Sequence, residues 1–149
     1  MSHTEETALK VEVHNFLDTH RKAVFAFLDA EDKPVTSLML YMVDEHFNVY
    51  FGTRKAFAKY TQAKRQPHIS LSVVEERLDP LKVVDIRGVA EELSEAEQES
   101  VYADFKLKNT SRYYVEDADD FVMFRIRPQV IRWADATSGE LKITEIPVL

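Results

Sequence analysis

The chain has 149 residues, 45% apolar and 30% charged, the proportions of a soluble globular protein whose length suits one domain with a real core. With 26 acidic against 19 basic residues the net charge is −7, which argues against nucleic acid as the main partner. No cysteine is present, so disulfide scaffolds and thiolate chemistry are excluded, and no apolar run approaches the ~20 residues of a membrane span. No basic stretch followed by an apolar one opens the chain, so the expectation is a cytoplasmic protein without a signal peptide.

Taken in order, residues 4–20 read as a helix, with Leu9, Val13, Phe16 and Leu17 on one stripe. Val24–Leu28 is an apolar run of strand length, expected to be buried on both faces. A turn at 29–33 leads to a strand at 35–43, and a tight connection at 44–47 leads to a strand at 48–51. Short turns join these three strands, which predicts an antiparallel meander. A helix follows over 54–65 and ends at Pro67. Residues 68–74 alternate as a half-buried strand, and 81–93 form a long strand with Gly88 as a bulge. Ser94 and Glu97 form a capping box that opens a helix to about residue 108. A loop over 109–120 holds Tyr113, Tyr114 and the acids Asp117, Asp119 and Asp120, which read as a solvated cluster. Strands follow at 121–127, stopped by Pro128, then at 130–134 and 141–146. The sum is a mainly β protein with accessory helices, an antiparallel barrel of about six to seven strands, closed or nearly so.

One stretch stands apart. Residues 46–74 carry Arg54, Lys55, Lys59, Lys64 and Arg65 and no carboxylate, where an even spread would place about five acids. Such a local positive field points to a partner. Thr53 sits where the N-cap of the 54–65 helix belongs. Arg54 and Lys55 then oppose the helix dipole, an arrangement that suits a bound anion held by cations and free N–H groups. A solvated basic face is the plainer reading.

The common catalytic motifs are absent. Three glycines (Gly52, Gly88, Gly139) allow neither a dinucleotide fingerprint nor a Walker loop, and five scattered histidines lack metal-ligand spacing. No nucleophile elbow occurs. Any chemistry therefore falls to a bound cofactor.

The order of pieces resembles a known family. An apolar strand (Val24–Leu28) and a turn with a proline precede V-T-S-L-M-L-Y (Val35–Tyr41). N-V-Y-F-G-T (Asn48–Thr53), a lysine eight residues before a proline (Lys59, Pro67), H-I-S-L and V-D-I-R-G-V-A-E (Val84–Glu91) follow. Over residues 10–135 this is similar to the FMN-binding split barrels related to pyridoxamine 5′-phosphate oxidase. The resemblance implies an antiparallel split barrel and a homodimer with FMN at its interface. Thr36, Ser37, Leu38 and Met39 would run beside the flavin ring. Phe51, Gly52 and Thr53 would border the ribityl chain, and Lys59 would meet the phosphate. The family's arginine before that lysine is Ala58 here, and Arg54 and Lys55 would supply the charge. Trp133 resembles a tryptophan that reaches the partner's flavin; an ordinary core aromatic is the alternative. The stretch that grips the vitamin in the oxidase corresponds to residues 134–149, which hold no Arg and no His, so vitamin B6 oxidation is not expected. The expectation is an FMN-dependent oxidoreductase of unspecified substrate, with a non-catalytic flavin or stress-associated module, a haem-binding barrel and a deazaflavin in place of FMN as the alternatives.

Overall fold

The computed structural model describes residues 1–109 and 118–148. Tyr113, Tyr114 and Asp117 lie outside them. Helix α1 (His3–Thr19) begins at Ser2, whose hydroxyl accepts from the Glu5 N–H, and turns Val13, Phe16 and Leu17 inward. Strands β1 (Lys22–Leu28), β2 (Pro34–Leu40), β3 (Met42–Val43) and β4 (Val49–Arg54) precede helix α2 (Ala58–Arg65). Then come β5 (His68–Val74), β6 (Lys82–Glu92), α3 (Glu95–Lys108), β7 (Phe121–Asp135) and β8 (Lys142–Ile146).

All strand pairs are antiparallel, in the order β2-β1-β5-β6-β7-β4-β3 with β8 beside β7. The two ends of that order, β2 and β3, are one stretch of chain broken at Tyr41. A sheet whose edges are the same segment must curl on itself, so the fold is the expected split barrel. Tyr41 is fully buried, and its hydroxyl donates to the Leu17 carbonyl at 2.6 Å. The single strand expected over 35–43 therefore changes partners midway.

The predicted meander holds only in part. β1 and β2 form a hairpin, but β4 meets β3 over two residue pairs and gives its length to β7, from Val49↔Ile126 to Arg54↔Phe121. Pro128 does not stop β7. One edge of β7 pairs with β4 up to Ile126 and with β8 from Ile131, so the proline falls in the gap between partners, where no N–H is needed. On the other edge the register slips at Gly88, the expected bulge. A Cβ there would lie 2.2 Å from the Arg127 carbonyl oxygen, so the two backbones touch where only glycine fits.

The interior holds Phe25, Phe27, Phe51, Phe124, Ile86, Ile131 and Trp133, with Phe51 and Phe124 stacked at 5.2 Å. β1 is buried on one face, not both: Ala23, Phe25 and Phe27 point in, while Val24 is 45% exposed. A second cluster lies outside β4 and β7, where α3 covers Tyr50, Phe121 and Met123. Both parts of the predicted capping box at Ser94 and Glu97 are formed. Among the described residues no helix is long and apolar enough to cross a membrane.

Candidate functional site

The basic stretch folds as strand end, turn and helix. Thr53 does not cap α2. It is the fifth residue of β4 and points into the barrel with Val49 and Phe51, because strand alternation fixes its side. Its Oγ1 is buried without a hydrogen-bond partner among the described residues. The N-cap is Phe57, which offers no side-chain bond to the first helical N–H groups. Arg54 and Lys55 consequently precede the helix instead of opening it.

Three of the five cations meet acids brought from elsewhere in the chain. Arg54 Nε donates to Asp120 at 2.7 Å, Lys64 lies 3.4 Å from Glu92, and Arg65 lies 3.1 Å from Asp32. The sequence window is acid-free; the space around it is not. Asp120 is thus no free member of a solvated cluster. Its carboxylate also accepts the Ala56 N–H at 3.0 Å, and the Arg54 guanidinium holds its carboxyl below the usual carboxylate range. Lys55 is exposed, with its ammonium 6.0 Å from the Tyr60 ring centre. Lys59 is half-buried on the first turn of α2, and among the described residues no carboxylate lies within ion-pair distance of it. Burial without a counter-ion pulls its ammonium below the usual lysine range.

The β2 residues divide by strand alternation. Thr36 and Leu38 face out, Leu38 being 64% exposed, while Ser37 and Met39 face in. Leu38 pairs with Val24, and Val24 with Ser72, so an apolar-edged groove of about 510 Å³ crosses the outer face of β2, β1 and β5. At its end His20 lies 3.1 Å from Glu75 and 2.6 Å from the Phe16 carbonyl, with its ring stacked on Phe16. Burial works against the Glu75 charge, but bonds from the Arg77 N–H and His20 hold its carboxyl below the usual range. Sequence reasoning missed this pair, since the partners are 55 positions apart and no spacing rule joins them.

Phe51 and Trp133 belong to the core, Trp133 at 3% exposure with Phe16 edge-on at 5.1 Å. Gly52 lies against Phe121, where a Cβ would come within 2.8 Å of the ring. The structure therefore brings Gly52, Thr53, Arg54, Lys55 and Lys59 to one strand–turn–helix corner. It sets Thr36 and Leu38 on the open sheet face, and Met39, Phe51 and Trp133 inside. The corner can hold an anion: a helix start without a side-chain cap and a half-buried ammonium that no acid among the described residues pairs. Among the described residues no group of His, Asp and Glu could hold a metal ion.

Residues 9–133 match the family model described as Pyridoxamine 5′-phosphate oxidase. No curated protein matches the sequence. Among solved structures the chain is similar to a haem-binding protein from Mycobacterium smegmatis, with TM-score 0.76 and 21% identity over 91% of this chain and 57% of that one. It is also similar to a candidate pyridoxamine 5′-phosphate oxidase from Listeria innocua (TM-score 0.70, 21% identity, 84% and 97% covered). An F420 reductase aligns with TM-score 0.65 and 18% identity over 79% of this chain and 94% of the other. At these identities the structural likeness is one of fold.

Proposed function

We propose that this chain, which belongs to the pyridoxamine 5′-phosphate oxidase family, binds FMN and serves as a flavin-dependent oxidoreductase. The observation that carries the reading is Lys59: a half-buried cation without a counter-ion among the described residues, on the first turn of a helix whose N-terminus has no side-chain cap. A phosphate monoester supplies the missing negative charge and accepts from both. FMN, when bound, supplies the redox chemistry that the side chains lack. The chain's own part is to neutralise the phosphate from Lys59 and to offer it the first N–H groups of α2. Leu38 and Thr36 offer an apolar and a hydroxyl surface along β2.

The same reading makes the protein a cytoplasmic homodimer. Leu38, Val24 and Val74 are 64%, 45% and 49% exposed on one open sheet face, and a second copy would cover them. It does not extend to vitamin oxidation, because residues 134–149, which correspond to the stretch that grips the vitamin, hold no Arg and no His.

The test is the visible spectrum of the purified protein, followed by titration with FMN and riboflavin and by anaerobic reduction with NADH or NADPH. A flavin spectrum with turnover supports the enzyme, and one without turnover supports a carrier or stress-associated module. A deazaflavin would show its own absorption. A Soret band would favour haem, against which stands the engagement of His14 and His20: His14 Nε2 lies 3.0 Å from the Asp44 carbonyl, and both His20 nitrogens are bonded.

A further inference from the structure

We propose that Asp120 is a built-in competitor for the ligand's phosphate, and so the residue that sets how strongly the site prefers phosphorylated over unphosphorylated flavin. The proposal rests on the flavin reading above. Two donors converge on the two oxygens of this one carboxylate: Arg54 Nε on Oδ1 at 2.7 Å and the Ala56 N–H on Oδ2 at 3.0 Å. A guanidinium N–H beside a backbone N–H is the fork that an oxyanion occupies. Here the chain's own acid occupies it, immediately before β7, 66 positions from Arg54. The Asp120 carbonyl also accepts the Lys55 N–H at 3.0 Å, which holds the acid in register with the turn.

The pair is reachable from solvent, with the Arg54 and Asp120 side chains 34% and 25% exposed. An external anion can therefore contest it. The turn that carries Ala56 leads within three residues to Lys59, which has no counter-ion among the described residues. Without the Asp120 charge, Arg54, the Ala56 N–H and Lys59 would all serve one anion. With it, Arg54 is already neutralised and a negative charge stands at the edge of the site. Asp120 thereby weakens phosphate binding while leaving contacts to the uncharged ring system untouched.

The experiment measures Kd for FMN and for riboflavin with wild type, Asp120→Asn, Arg54→Ala and the double variant. The asparagine keeps an oxygen for the Ala56 N–H and removes only the charge. The preference for FMN over riboflavin is expected to rise about fivefold or more in Asp120→Asn, and by less in the double variant, where the freed partner is gone. A preference that stays the same or falls in Asp120→Asn, or that rises equally in the double variant, overturns the proposal. Asp120→Ala carries the same expectation as a second variant, and loss of the fold in both shows a purely structural carboxylate and overturns it too. If wild type binds neither flavin, the flavin reading fails by itself. Titration of the Arg54 Nε–H resonance with inorganic phosphate then decides: a response in Asp120→Asn at lower phosphate than in wild type supports the competitor, and equal responses overturn it.

Discussion

The Tyr41 hydroxyl and the Lys108 ammonium donate to the same acceptor, the Leu17 carbonyl, at 2.6 and 3.1 Å. The last turn of α1 has no basic residue of its own, and Lys108 from the end of α3 supplies one. Its ammonium also lies 4.0 Å from the Tyr41 ring centre. These contacts fix the point at which the chain passes from β2 to β3 and closes the barrel.

Burial pulls Lys108 down to about 8, with Asp18 opposing the shift and Arg21 adding to it. A lysine whose folded pKa lies below its unfolded value opposes folding while charged, and that opposition is relieved as pH rises from the folded towards the unfolded value. Wild type should therefore gain stability between pH 7 and 9.5 relative to Lys108→Met, by roughly 1 kcal/mol after discounting for partial exposure. Urea unfolding at several pH values checks this; parallel curves for the two proteins would refute it. Above that window Tyr41, which burial raises, works the other way.

Gly88→Ala should cost about 2–4 kcal/mol, because its Cβ would meet the Arg127 carbonyl and the Ile126 side chain at 2.2 and 2.8 Å in a register that neighbouring pairs hold on both sides. Gly139 is the comparison: its φ is +94° but a Cβ there meets nothing, so Gly139→Ala should cost only about 1 kcal/mol of backbone strain. Equal losses in thermal melts would show that the bulge is not a close-packed crossing.

Such local constraints were legible in the sequence. Gly88 inside a long strand, Ser94 with Glu97, and the alternation of 68–74 each carry their geometry in neighbouring residues. Pairing across distance was not legible. Nothing near Val49 names β7 as its partner, and nothing near Arg54 names Asp120. Thr53 has the chemistry of an N-cap, but the register of β4 turns it into the core, and tertiary context decided against local preference. The exposure of Val24 within an apolar run carried a signal that length alone could not read, since a strand buried on both faces and a strand awaiting a partner look alike in sequence.

Leu38→Glu places a charge on the open sheet face opposite Val24. If a second copy covers this face, the variant should be monomeric in light scattering at micromolar concentration, where wild type is dimeric, and should bind FMN more weakly. Its melting temperature should change little, because Leu38 is already 64% exposed within one chain. A wild type of monomer mass, or a variant that still dimerises, would send the apolar face in search of another role.

Lys59→Ala should weaken FMN binding by about tenfold or more, since one charge-assisted hydrogen bond to phosphate contributes roughly 1.5–3 kcal/mol. Riboflavin, without a phosphate, should bind both proteins alike. Lys64→Ala is the control: Lys64 stands farther along α2 and already faces Glu92 at 3.4 Å, so its loss should leave FMN nearly unchanged. The pH dependence follows from the same lysine. Burial lowers the Lys59 pKa and a bound phosphate favours its charged form, so FMN affinity should fall as pH climbs through that lowered range while riboflavin affinity stays flat. In Lys59→Ala this slope should disappear. A slope that persists, or a Lys64 effect as large as that of Lys59, would assign the anion to the general field of the basic corner and not to Lys59.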